Sequence, residues 1–252
     1  MIKIILKKGR EESLLRFHPW VFSGAIAEVQ GSQAEGDLVS VHASDGGILA
    51  YGHYQIGSIA VRVLSFDDSA LHPDFWETML SHALQVRVAA GLHTSILSFR
   101  QSEASGEIST NCYRLVHGEG DNLPGLIIDY YDGVCVMQAH SVGMFRAKKH
   151  ISDALQKVYG PQLKAVYDKS SGTAPYKAGL ELIDGYLYRH PEFSDDEQTV
   201  VENGHKFIVN WTEGQKTGFF LDQRENRALV GSLARGRNVL NLFCYTGGFS
   251  IY

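Results

Sequence analysis

The chain is poor in cysteine, proline and methionine, with three, six and four among 252 residues. Cys112, Cys135 and Cys244 are odd in number and have no CxxC spacing, which argues against a disulfide framework and a zinc cage and suits a reducing, cytoplasmic setting. No apolar run approaches the 18 residues of a membrane span, and the apolar start Met1–Leu6 is too short for a signal peptide. The 11 histidines fall without HExxH or paired-ligand spacing, so no metal site is expected. Positive charge is also in deficit. The net charge of −5 means that contact with nucleic acid has to come from a local basic patch.

What is present is an ordinary globular composition, 44% hydrophobic and 20% charged, long enough for one or two compact units by size alone. Strand-like stretches at Ile2–Leu6, Asp37–His42, Ile48–His53 and Ile59–Leu64 predict a small β-rich first domain over residues 1–70. Asp45-Gly46-Gly47 is a hairpin signal between two of them. Residues 1–20 hold five basic and two acidic side chains, and Lys8, Arg10 and Arg16 are the candidate RNA-phosphate contacts. His18-Pro19-Trp20 reads as a packed corner.

Periodic apolar residues predict a connector helix over Asp74–His93, followed by a polar loop around 102–109. A central domain over 71–199 then runs through strands Cys112–His117, Leu126–Tyr130 and Val134–Ala139, a helix Met144–Tyr159 closed by Gly160-Pro161, and strands Leu163–Asp168 and Tyr186–Arg189. Glu119 and Asp121 flank a Leu-Pro-Gly turn and are expected to stabilise it. From about residue 200 come a strand Lys206–Trp211, the segment Glu213–Arg227 running into a helix that reaches Ala234, and a strand Val239–Phe243 expected to be buried on both faces. The turn Cys244–Ser250 after it has the strand, glycine, helix order that opens a doubly wound nucleotide-binding sheet. A strand buried on both faces needs parallel neighbours from crossover units, so the expectation is an incomplete domain over 200–252 in a longer protein.

Four segments carry a resemblance: Arg16–Ile26, Gly118–Leu126, Gln215–Arg224 and Asn241–Ser250. Together and in this order they resemble the large-subunit ribosomal RNA methyltransferases with an N-terminal PUA domain, the large-subunit rRNA methyltransferase I type. The resemblance implies an α+β front part, a PUA-like β-barrel plus a central β-rich α/β domain, leading into the start of a truncated Rossmann-like class I domain. It implies S-adenosylmethionine as cofactor and 23S rRNA as partner, with methylation typically at cytosine C5.

By the same resemblance the cofactor-binding residues are Gln215, Lys216, Thr217, Phe220, Arg224, Asn241, Phe243, Tyr245, Thr246, Gly247 and Gly248. A carboxylate and backbone carbonyls are expected to receive the cofactor's ammonium, Arg224 or Lys216 to pair with its carboxylate, and Phe219, Phe220, Phe243 and Tyr245 to offer apolar walls. C5 methylation requires a thiolate and a base. No cysteine here lies in a matching motif, Cys244 reads as a small buried thiol, and no catalytic residue is assigned. The chain alone is expected to be inactive. A homodimer is compatible with this reading, and a non-catalytic RNA-binding adaptor is the competing class.

Overall fold

The computed structural model describes residues 1–92, 110–175 and 179–252. The expected loop at 102–109 and the end of the connector helix at His93 lie outside these residues. Six strands form the first sheet: β1 (Ile2–Leu6), β2 (Trp20–Phe22), β3 (Ile26–Gln30), β4 (Leu38–His42), β5 (Ile48–Tyr54) and β6 (Ile59–Ser65), in the order β2-β6-β5-β4-β1-β3. Only β1 and β4 run parallel among its pairs. Alternation puts Ile4, Leu6, Val39, Val41, Val61 and Val63 into one core. Among the described residues no ladder joins the edge strands β2 and β3 of this sheet. A helix α1 (Glu12–Leu15) buries Leu14 beneath it.

The connector helix α2 (Phe75–Ala89) leads to a second sheet of β7 (Cys112–His117), β8 (Leu126–Tyr131), β9 (Val134–Ala139), β10 (Ala165–Asp168) and β11 (Gly185–Arg189), in the order β11-β10-β9-β8-β7. The one helix expected over 144–159 is two, α3 (Val142–Arg146) and α4 (Lys148–Tyr159), because the chain turns at Ala147. Ser141 caps α3 by accepting a hydrogen bond from the Met144 amide. Helix α4 makes the crossover between the parallel neighbours β9 and β10.

A core forms on each face of this sheet, and period-two alternation sorts the side chains. Cys135 and Met137 of β9 join Tyr113, Leu115, Ile128 and the helices in one core. Val134 and Val136 join Tyr131 and Ala165 in the other. That second core is closed by a hairpin of β12 (Glu197–Glu202) and β13 (His205–Asn210), through Val200, Phe207, Val209 and the fully buried Trp211. Phe219 and Leu221 complete it, so the polypeptide beyond residue 200 is packed on the central sheet.

Helix α5 (Arg224–Ala234) follows, and a short α6 (Gly248–Ile251) comes after the glycine turn. Between them, Val239–Phe243 is not a strand. It pairs with no other strand among the described residues, and Leu240 is 82% exposed and Phe243 fully so. An extended segment becomes a strand only where a neighbour completes its hydrogen bonds, and among the described residues none stands beside it.

Candidate cofactor cleft and its neighbours

The two segments singled out at 215–224 and 241–250 meet across a cleft of about 540 Å³. One wall is Gln215, Phe219, Phe220, Gln223 and Arg227; the other is the stretch Asn241–Thr246 with Gly248 and Phe249. The walls are tied together. The Gln215 amide donates to the Tyr245 hydroxyl at 2.8 Å, and the rings of Phe220 and Tyr245 meet edge to face with centroids 5.5 Å apart. Asn241 Nδ2 donates to Ser250 Oγ at 2.7 Å, closing the turn on itself.

Local backbone geometry is unusual here. Lys216, Phe243 and Tyr245 have φ of 52°, 60° and 48°, a region that non-glycine residues seldom occupy and that concentrates at ligand sites. Gly247, at φ 75°, gives the turn before α6 without that strain. Gly214 is required by close approach, since a Cβ there would stand 2.3 Å from the Asn210 carbonyl oxygen.

Of the expected cofactor residues, Gln215, Phe220, Asn241, Phe243, Tyr245, Thr246 and Gly248 line this cleft, with Gly247 in the turn beside them. Three do not. Thr217 is buried and its hydroxyl donates to Asp129 Oδ2 at 2.6 Å, with the Tyr131 hydroxyl 3.0 Å away. Arg224 points into the protein, where Nη2 donates to the Cys112 carbonyl at 2.6 Å and Nε lies 3.5 Å from the Glu202 carboxylate. Lys216 lines a different cavity and holds its ammonium 5.6 Å from the centre of the Phe220 ring. The expected pairing of Arg224 with a cofactor carboxylate therefore gives way to a structural role, because the buried Glu202 claims the guanidinium.

Glu202 is the centre of that arrangement. Fully buried, it accepts from Arg227 Nε at 2.8 Å and Nη2 at 2.7 Å, and from the Tyr252 hydroxyl at 2.9 Å. Arg227, unremarked in the sequence, also lies 4.6 Å over the Phe219 ring and lines the cleft. Arg at 224 and 227, a three-residue step on a helix, is the signal that could have paired them on one face. Gln223, Leu242, Cys244 and Phe249 are further lining residues, inside the segments the sequence singled out but not among its individual cofactor contacts.

Two more expectations change. Among the described residues no carboxylate lines the cleft to receive the cofactor's ammonium as expected; the side-chain amides there are those of Gln215, Gln223 and Asn241. Cys244 is exposed. Burial pushes the Cys112 thiol up to about 12 and raises that of Cys135, so both are packed, protonated thiols.

In the first domain Lys8, Arg10 and Arg16 are exposed, and Arg16 makes a surface pair with Glu12 at 3.4 Å. Trp20 is more than a corner. Its indole donates to Glu119 Oε1 at 2.8 Å, and Arg62 Nη1 donates to the same oxygen at 2.9 Å, so Glu119 clasps the first domain to the second. Asp121 holds its turn as expected, accepting from the His117 amide at 2.6 Å and pairing with both terminal nitrogens of Arg87 on α2.

Comparison with known proteins gives the class first. Residues 4–66 match the model of a PUA-like domain, and residues 189–252 match that of an S-adenosylmethionine-dependent methyltransferase. The chain thus joins a PUA-like domain to S-adenosylmethionine-dependent methyltransferase sequence, and over its whole length it is similar to proteins named Ribosomal RNA large subunit methyltransferase I. That of Shewanella amazonensis is 39% identical over 253 residues, and that of Erwinia tasmaniensis 38% over 252. The alignments take in 100% and 99% of this chain and 59% of each relative, so the chain spans about three fifths of the relatives it matches. In fold it is similar to a candidate S-adenosylmethionine-dependent methyltransferase from Streptococcus mutans, at TM-score 0.73 and 22% identity, over 99% of this chain and 59% of that one. A second candidate methyltransferase, complexed with SAH, gives TM-score 0.74 at 23% identity, with the same coverage of each chain.

Proposed function

We propose that this chain is part of an S-adenosylmethionine-dependent methyltransferase of 23S ribosomal RNA that acts at cytosine C5 in the cytoplasm. The observation that carries the reading is the cleft itself. Two segments whose nearest ends, Arg224 and Asn241, are 17 residues apart, both within the matched methyltransferase region, converge on a volume fit for a nucleoside-sized ligand. Its apolar walls are Phe219, Phe220 and Tyr245, and its polar groups include the side-chain amides of Gln215, Gln223 and Asn241, the Arg227 guanidinium and the Thr246 hydroxyl.

In this reading the aromatic walls exclude water and sandwich the adenosine part, while Gln215, Gln223, Asn241 and the carbonyls of the 241–246 stretch receive the ammonium. Thr217 and Arg224 act behind the wall: they fix the 215–224 segment to the central sheet and to β12. Gly247 and Gly248 keep the turn open, with Phe243 and Thr246 beside it. When bound, S-adenosylmethionine supplies the methyl group from its sulfonium. Lys8, Arg10 and Arg16 contact rRNA phosphates from the PUA-like domain. No residue of the chain is assigned to the chemical step, since Cys112 and Cys135 are buried and protonated and Cys244 has no partnering base among the cleft residues.

The test is methyl transfer from labelled S-adenosylmethionine to protein-free 23S rRNA by the protein expressed from its full reading frame, followed by nucleoside analysis. Label in 5-methylcytidine is the expected result. Cofactor binding with transfer only to small metabolites would overturn the rRNA assignment. RNA binding that is indifferent to cofactor, with no transfer at all, would make the protein an RNA-binding adaptor.

A further inference from the structure

The face of the central sheet that carries the β12–β13 hairpin changes character along its strands. At one end Tyr131, Val134 and Val136 are buried under the hairpin. At the other, Ile127 and Gln138, paired across β8 and β9, stand open beside Arg114 of β7. There they form the floor of a cavity of about 540 Å³ whose rim is Lys169, Lys216 and His140. We infer that this cavity is a phosphodiester subsite, holding the backbone of the RNA strand whose base enters the cofactor cleft; the inference rests on the function proposed above.

Three observations support it. The first is charge. Neither Lys169 nor Lys216 makes an ion pair among the described residues: Lys169 Nζ is held by the carbonyls of Trp211 at 2.7 Å and Gly214 at 2.5 Å, and Lys216 lies over the Phe220 ring. Arg114 is matched by Asp129, but that carboxylate is fully buried behind it. Burial holds the Lys169 ammonium below its ordinary range, and the carboxylate in the lining, Asp184, opposes that shift while accepting hydrogen bonds from the Ser171 amide and hydroxyl, both at 2.8 Å. Burial, then the nearby Arg114 and Arg62, hold the His140 imidazole below its ordinary range.

The second is position. Lys216 lies between Gln215, a wall of the cofactor cleft, and Thr217, whose hydroxyl is anchored on Asp129. The cavity therefore begins one residue from that cleft. The third is continuity. Ile127 and His140 also line a smaller cavity of about 200 Å³ that reaches Arg62 and Glu119, the clasp to the PUA-like domain. Two adjoining cavities thus run from Lys216, Lys169 and Arg114 beside the cofactor loop to the domain expected to hold RNA, where Arg62 is paired with Glu119.

Gln138 allows a test that leaves the ion pairs of the fold alone. Gln138→Lys and Gln138→Glu, in the protein expressed from its full reading frame, are titrated with a fluorescein-labelled single-stranded RNA oligonucleotide. Dissociation constants roughly tenfold apart are expected, with the lysine variant tighter, because two unit charges are exchanged within a few ångströms of a phosphate. Lys169→Gln should lower the slope of log affinity against log salt by about 0.7, the share of one phosphate on a single strand. Thermal melting confirms that each variant is folded. Equal RNA affinities in folded Gln138 variants would overturn the subsite. Calorimetric titration of S-adenosylmethionine into the same samples decides the methyltransferase reading separately, since Gln138 lies outside the cofactor cleft.

Discussion

The Thr217 hydroxyl donates to the buried Asp129 carboxylate at 2.6 Å, joining the segment over the cofactor cleft to the middle of the central sheet. Arg114 grips the same carboxylate from the cavity side, with Nε at 2.9 Å and Nη2 at 3.1 Å. One buried acid therefore connects the proposed RNA subsite to the cofactor loop. Thr217→Val removes a hydrogen bond to a charged group and should cost about 1.5–3 kcal/mol in urea unfolding. The same variant should weaken S-adenosylmethionine binding in calorimetry, because Gln215 and Phe220 lose the anchor between them. Unchanged values in both measurements would detach Thr217 from the site.

Glu202 holds two guanidiniums in a place closed to water. Glu202→Gln leaves Arg227 and Arg224 buried without their counter-charge, and a loss of about 3–5 kcal/mol is expected in the same unfolding assay. Arg227→Met leaves Glu202 with Arg224 and Tyr252 still beside it and should be milder. A Glu202→Gln protein as stable as the parent would mean that the ion pairs contribute no net stability.

How much of this was legible in the sequence follows from the range of the interactions. The apolar patterns of Ile2–Leu6, Val134–Ala139 and His205–Asn210 are local, and those strands stand where the pattern puts them to within a residue. Strands β2 and β3 escaped because one has three residues and the other carries Glu28 and Gln30 on an exposed edge. Asn241–Ser250 and Gln215–Arg224 were recognisable as segments, and the structure brings them to one cleft. Which side chains enter that cleft was not legible, since Arg224 is turned away by Glu202, 22 residues earlier, and Thr217 by Asp129, 88 residues earlier. The exposed 239–243 stretch shows the same limit: apolar sequence indicates a wish for burial, but only a neighbouring strand supplies it.

Gly247 is a backbone test of the cleft. At φ 75° a β-branched side chain is strained by about 1–3 kcal/mol, although nothing stands within 4 Å to clash with it. Gly247→Val should therefore distort the turn beside Thr246 and Gly248 and raise the calorimetric dissociation constant for S-adenosylmethionine about tenfold or more, which corresponds to 1.4 kcal/mol and above. Gly236→Val, also at positive φ and with open space around it but outside the cleft, is the control; it should change stability while leaving the cofactor affinity alone.

Stability depends on pH through His53, which lies where the first domain packs on α2 and α3. The imidazole is buried on β5 against α3, so close that a Cβ on Gly143 would stand 2.2 Å from its Cγ, and it stacks on Trp76 of α2 with ring centroids 6.4 Å apart. Its Nδ1 is buried without a hydrogen-bond partner among the described residues. Burial alone lowers its pKa from 6.5 to about 4, so the folded protein binds this proton less readily than the unfolded chain does. The stabilisation is full above pH 6.5 and is lost as pH falls toward 4, by roughly 3 kcal/mol across that window. His140, also lowered by burial, adds to the loss with the same sign, whereas Glu11 and Asp67, lowered to about 2, act mainly below pH 4.5. His53→Phe keeps a flat ring in the gap and removes the titrating group. Its unfolding free energy should fall less steeply than the parent's between pH 6.5 and 4, and equal slopes would assign the acid sensitivity to other groups.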